Sequence, residues 1–227
     1  MLNLSSPVTL NRSMFKSLST ALAITLLSLA LLSSGALAQT GDNPPGQLID
    51  KSKSHIQSMA DEAINIIESQ EELGYKQAKE RFRDLVQNNF DVKTISRFTL
   101  GRYWRAASDQ QQKEFTRLVQ SVILDKYADR ILNYNGERFT VNGARAVSDK
   151  DVMVNMTVKP QDNSAVTFAW RTRQFEEGPK VIDLSIEGIS MSVTHRNEFS
   201  SIIQRNGGQV GALIQKLKDK ETEQKDK

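Results

Sequence analysis

The sequence predicts an α+β domain, with helices packed on one face of a twisted antiparallel sheet of about four strands. Three observations carry this. Apolar residues recur at three- and four-residue spacing up to residue 131, the period then switches to two through residue 187, and a helical pattern returns over 195–218. One-faced strands expect their cover from those helices.

The chain opens on a segment that is not expected to belong to the fold. MFKSLSTALAITLLSLALLSSGALA (14–38) has a short basic start at Lys16, with Arg12 just upstream. An apolar run from Leu18 to Leu32 follows, then Ala36-Leu37-Ala38. That order is a cleavable secretory signal, 1–38. The run is short for a membrane anchor, which needs about 20 apolar residues. Either Met1 or Met14 can start it. QTGDNPPGQ begins a flexible lead-in, 39–49. The domain proper is expected over 50–218, with a frayed charged tail at 219–227.

Within the domain the elements follow in order. Ile56, Met59, Ala63, Ile64 and Ile67 mark a first helix, which Gly74 breaks. A second begins near Tyr75, with Phe82, Leu85 and Val86 on its apolar side. NNFD (88–91) is a turn, and Asp91 is placed to cap a short third helix ending at Leu100. Ser108 and Gln111 form a capping box for the longest helix, whose apolar face holds Phe115, Leu118, Val119, Val122, Ile123, Tyr127 and Ile131. NYNGE (133–137) stops it. A strand near 139–147 precedes three with clear alternation: Val152/Val154/Met156/Val158, Val166/Phe168/Trp170 and Ile182/Leu184/Ile186. PQDNS (160–164) and EEGP (176–179) read as turns, so the strands form a meander. The closing helical region is interrupted at Gly207-Gly208.

Composition bounds the function. Residues 1–38 hold two of the 30 basic residues and none of the 27 acidic ones, which leaves 28 against 27 in the remaining 189. That balance gives no general attraction to nucleic acid. There is no cysteine, so no disulfide, thiolate metal site or cysteine nucleophile. The two histidines, His55 and His195, are far apart in polar helical contexts, and no carboxylate cluster has metal-ligand spacing. GISMS has no nucleophile elbow, and Gly207-Gly208 lacks the spacing of a phosphate loop. No catalytic or metal site and no cofactor is expected. RFTLGRYWRAAS (97–108) interleaves three arginines with Phe98, Tyr103 and Trp104, and Gly101 divides it into two short helices. Its rings suit an apolar wall, and its arginines a solvated rim that could face an anionic group.

Two stretches resemble a known family. FDVKTISRFTLGRYWRAASDQQQKEFTRLVQSVILDKYADRILNYNG (90–136) and FAWRTRQFEEGPKVIDLSIEGISMSVTHRNEFSSIIQRNGGQVGALIQKL (168–217) are similar to the periplasmic phospholipid carriers of the maintenance-of-lipid-asymmetry pathway. This MlaC family is also called the toluene-tolerance auxiliary component of ABC transporters and includes hopanoid-associated relatives. The landmarks are LGRYW, SDQQQKEF, the tyrosine of LDKYADRIL, FAW, DLSIEGIS and GGQVGALIQKL, in that order. Residues 50–89 and the strand near 139–147 match in pattern only.

The resemblance implies a soluble, monomeric periplasmic carrier whose helices and sheet enclose an apolar pocket for phospholipid acyl chains. It implies shuttling between an outer-membrane lipoprotein–porin complex and an inner-membrane ABC transporter complex with a substrate-binding ring, without catalysis. The wall candidates are Phe98, Tyr103, Trp104, Val122, Tyr127 and Ile131 from the helices. From the sheet side they are Phe168, Trp170, Ile182, Leu184, Ile186 and Met191. Each can instead be ordinary core. Arg171 and Arg173 fall on the wetter face of their strand, as a surface pair or a phosphate or partner contact. Three readings compete: a hopanoid or other ring-lipid carrier, a small-ligand cone-fold enzyme, and an interaction module with a full core. The enzyme needs an acid–base group facing the apolar positions, and Asp183 and Glu187 alternate away from Ile182 and Ile186.

Overall fold

The computed structural model describes residues 45–132, 138–159 and 165–225, with 122–132 traced as backbone. The expected signal, the helix stop at 133–137 and the turn at 160–164 lie outside the described residues. The helices are α1 (Pro45–Glu68), α2 (Gln70–Leu73), α3 (Tyr75–Asn89), α4 (Val92–Leu100), α5 (Asp109–Leu132), α6 (Met191–Arg205) and α7 (Val210–Lys225). A 3-10 turn, Gly101–Trp104, links α4 to α5. The strands are β1 (Arg138–Ala146), β2 (Asp151–Lys159), β3 (Val166–Phe175), β4 (Gly178–Ile186) and a two-residue β5 (Ile189–Ser190), antiparallel and in sequence order. The α+β meander is as the periodicity predicts, with a short fifth strand added.

Local chemistry sets the boundaries. The Thr94 N–H donates to Asp91 Oδ1 at 2.6 Å and starts α4. At α5 the Gln111 N–H donates to Ser108 Oγ (3.2 Å) and the Ser108 N–H to Gln111 Oε1 (3.0 Å), the reciprocal pattern of a capping box. Gly101 ends α4 at φ +59°, ψ −128°, a conformation open to glycine and costly for any side chain. The β4–β5 turn is Glu187-Gly188, both at positive φ. Glu187 holds it through Thr167: the Glu187 N–H donates to the Thr167 carbonyl at 2.9 Å, and the Thr167 N–H donates back to Glu187 Oε1.

Two boundaries differ from expectation. α1 begins at Pro45, inside the stretch read as a flexible lead-in; proline fits a first helical position, and Leu48 behind it is buried. The second is the 219 boundary, which α7 crosses on its way to Lys225. Val210, Leu213, Ile214, Leu217 and Glu221 are all buried along one helical face. The Arg117 guanidinium on α5 donates to both Glu221 oxygens, at 2.8 and 3.1 Å. Charge density suggested a solvated tail, but the apolar spacing continues under it.

The described side chains form separate apolar cores. One lies between α1, α3 and the sheet, around Ile56, Phe82, Leu85, Val152, Val154 and Val181, and a small extension holds Ala60, Met156 and Val158. The other is helical, built by α4, the 3-10 turn, α5, α6 and α7 around Leu100, Phe115, Leu118, Ile203 and Leu213. Thus only part of the helical layer rests on the sheet. α1 runs mainly over β1 and β2, while α3, α4 and α6 meet β4.

Candidate functional site

The pairing register fixes one apolar face. Val154 is opposite Trp170 and Met156 opposite Phe168; on the far side Trp170 is opposite Leu184 and Phe168 opposite Ile186. Directly opposed residues share a face, so these six side chains lie together. Their burial is unequal. Val152, Val154, Met156 and Val158 on β2 are buried, whereas Phe168, Trp170, Leu184 and Ile186 are only half-buried. β3 is the middle strand, where a complete helical cover would bury its apolar side chains fully. The helical cover is thus incomplete over these four side chains, which form a half-buried apolar strip, or shallow trough, along β3 and the Leu184–Ile186 end of β4.

The trough floor is ordered by its rings. Phe168 and Trp170 stack with centroids 6.3 Å apart and planes at 16°. Phe90 meets Trp170 edge-on at 6.3 Å. The Trp170 Nε1–H is buried and has no hydrogen-bond partner among the described residues. Phe90 was not among the sequence candidates because it sits in the turn NNFD. One aromatic between polar turn residues was the available signal. It is anchored by a bridge to Val181, with the Asp91 N–H donating to the Val181 carbonyl at 2.9 Å.

The other candidates go to different places. Tyr103 is buried in the helical core and Trp104 packs against it. The two adjacent rings therefore serve that core, and no described contact joins them to Phe168 or Trp170. Phe98 is 40% exposed, with the Arg196 guanidinium 5.1 Å from its ring centroid; α4 turns it outward because Ser96, Thr99 and Leu100 take the inward positions. Ile182 is buried at a bulge where β4 has one residue more than β3. Met191 is half-buried at the start of α6. The side chains of Val122, Tyr127 and Ile131 lie outside the described residues.

Polar groups near the sheet serve structure. Asp151 is 1% exposed. Arg171 donates to it through Nε and Nη2 (3.0 and 2.6 Å), and Arg173 through the same two atoms (2.7 and 2.9 Å). Burial pushes the Asp151 carboxyl pKa up, but the bonds from Arg173 and Arg171 outweigh it and hold the group below its usual range. Asp183 accepts from Ser190 Oγ (2.6 Å) and from the Leu184 and Ser192 N–H groups, tying β4 to the first turn of α6. His195 is buried with its ring stacked on Phe199. Burial, partly opposed by a bond to the Asn89 backbone and helped by nearby Lys180, lowers the His55 pKa. Among the described residues no three His, Cys, Asp or Glu side chains are grouped to hold a metal, and no helix is long and apolar enough to cross a membrane. A concavity of about 1370 Å³ lies beside the β1–β2 and β3–β4 turns and is lined with Lys51, Lys150, Lys180, Asp149, Glu176 and Glu177 among others. A wall this charged does not suit hydrocarbon.

Comparison with known proteins converges on one family. A curated relative, toluene tolerance protein ttg2D of Pseudomonas putida, is 25% identical over 113 residues, covering 50% of this chain and 53% of that protein. The match thus spans about half of that relative. The intermembrane phospholipid transport system binding protein MlaC of Haemophilus influenzae is 23% identical over 171 residues, 71% of this chain and 78% of that one. Among solved structures, a phospholipid-binding protein from Ralstonia solanacearum, in complex with a phospholipid at 1.53 Å, superposes with a TM-score of 0.68. It is 25% identical, and the match covers 76% of this chain and 97% of that one. The MlaC protein family matches residues 57–219, which span the helices, the meander and the closing helices, and the chain belongs to that family.

Proposed function

We propose that this protein binds a phospholipid by its acyl chains over the trough of β3 and β4 and carries it as cargo. The observation that carries this reading is the half-buried set Phe168, Trp170, Leu184 and Ile186 on the middle of an apolar sheet face whose neighbours on β2 are buried. Membership of the MlaC family and the likeness to a phospholipid-bound protein support it. Val122, Tyr127 and Ile131 are the wall residues proposed on the α5 side.

Physical chemistry explains why such a carrier is useful. Each methylene moved from water to an apolar site gains about 0.8 kcal/mol, so exposing two ordinary acyl chains costs about 20 kcal/mol. Desorption into water is correspondingly slow. An apolar trough offsets most of that cost without covalent chemistry, and we assign the chain no enzymatic activity. Release requires a partner that binds the empty and loaded forms unequally. The proposed partners are an inner-membrane ABC transporter complex with its substrate-binding ring and an outer-membrane lipoprotein–porin complex. The proposed setting is the periplasm, reached by cleavage of the signal at 1–38.

The test is native mass spectrometry of gently purified protein, followed by organic extraction and identification of what is released. A phospholipid adduct is expected. A hopanoid would redirect the reading to ring lipids, and a bare polypeptide mass would overturn it. Trp170→Ala is expected to lower the co-purified phospholipid at least tenfold, since it removes one of the larger apolar contacts available, worth about 1.5–3 kcal/mol.

A further inference from the structure

The stretch Val92–Ser108 has four cations, Lys93, Arg97, Arg102 and Arg105, and no carboxylate. None of the four is ion-paired with a carboxylate among the described residues. Arg102 instead donates to the Tyr103 hydroxyl at 2.8 Å and lies 4.9 Å from its ring centroid. By contrast, Arg171 and Arg173 on β3 hold Asp151, and Arg117 on α5 holds Glu221. Four exposed cations thus stand on α4 and the turn after it, flanked by Asp91 and Asp109 at either end but with no direct carboxylate partner among the described residues.

α6 adds to the same surface. Arg196 stands over Phe98 and packs so close to Gly101 that a Cβ there would lie 3.0 Å from its Nε. Glycine at 101 thus permits the seat that presents this guanidinium. Phe98 is 40% exposed; Val193, one turn before Arg196, is 44% exposed, and Ile189 just ahead of α6 is 62% exposed. Unpaired arginines beside exposed apolar side chains are the makeup of a surface that sits at a lipid interface. The guanidinium takes phosphate oxygens in pairs, and the apolar groups enter the headgroup boundary.

We propose that α4, the 3-10 turn and the exposed side of α6 form a docking surface for an anionic phospholipid bilayer, a contact distinct from the cargo trough. A bilayer fits better than an acidic protein, because the apolar groups come from three elements, Phe98 on α4, Ile189 on β5 and Val193 on α6, and each is 40–62% exposed, as shallow insertion needs. A leaflet requires charge density and shallow insertion rather than a shaped cleft. The purpose of the contact rests on the carrier reading; its chemistry does not.

The experiment is flotation of the full chain with vesicles of phosphatidylcholine mixed with phosphatidylglycerol, against phosphatidylcholine alone, at low and high salt. Binding to the anionic vesicles, weakened by salt, is expected. Arg97→Gln with Arg105→Gln should weaken it about 30-fold, at about 1 kcal/mol per cation near the surface. Lys53→Gln with Lys216→Gln, equal in charge and distant in sequence, should leave it unchanged. Equal binding to both vesicle types, or an equal loss in the lysine control, overturns the proposal. So does failure to float, including the case where an acidic protein is bound through the same arginines instead. A chain that floats but yields no lipid on extraction keeps this surface and removes the carrier reading; one that yields lipid and does not float does the reverse.

Discussion

At the scale of single residues, Asp151 and Gly101 are the sharpest cases. Asp151 is a buried anion whose two partners reach it from the solvated side, so its removal strands charge rather than merely deleting a contact. Asp151→Asn is expected to destabilise the fold by about 1–3 kcal/mol, measured by urea unfolding near neutral pH. The pH dependence has a definite sign. The folded carboxyl titrates below the ordinary Asp value of about 3.9. Its stabilisation is present above that value and is lost as pH falls through the lower folded value. The gap between wild type and Asp151→Asn should be constant above about pH 5 and close below about pH 4. Gly101→Ala places a side chain in a positive-φ conformation against Arg196. We expect a loss of about 1–3 kcal/mol, read as a lower midpoint in the same titration.

At the scale of elements, α5 and α7 are clasped by an alternating network. Glu114 meets Arg117 at 3.2 Å and Lys218 at 3.4 Å, and Arg117 meets Glu221 at 2.8 Å. The Arg117 bond holds the Glu114 pKa below its usual range. Arg117 is half-exposed, so the pair is screened, and Glu221→Ala should cost about 1 kcal/mol or less, shrinking further at high salt. Truncation after Lys218 should cost more than that substitution, because it also removes the last helical turns. A thermal melt of both variants at two salt concentrations separates the two contributions.

At the scale of the whole molecule, the sequence declared more of the fold than of the site. The caps at Asp91 and Ser108, the breaks at Gly74, Gly101 and Gly207-Gly208, and the alternation of β2–β4 were legible because each is local. The partition of apolar residues into two cores was not. Tyr103, Trp104 and Trp170 look alike in sequence, yet two serve the helical core and one the trough. Which of them faces a gap depends on where α1 stops covering the sheet, and no spacing rule encodes that. Phe98 shows the same limit in reverse, since a large ring within a helical pattern reads as core until its neighbours are seen to occupy the inward positions. An unfilled trough has a thermodynamic signature as well. Stripping bound lipid should lower the melting temperature, and phospholipid added back at about a hundredfold over its Kd should restore about 2.7 kcal/mol.

The helical core has one further consequence. Its members are drawn from 100–119 and from 199–217, and the whole sheet lies between them in the chain. Arg117 and Glu221, 104 positions apart, close that loop. During folding, we expect Leu118 and Phe115 to complete their burial only once α6 and α7 reach them across the intervening strands. Long-range closure of this kind is slow relative to hairpin formation. Pulsed hydrogen exchange should show β2 and β3 protected before α5, and a chain still lacking its last thirty residues or so should expose the apolar face of α5 to any binder of unfolded protein.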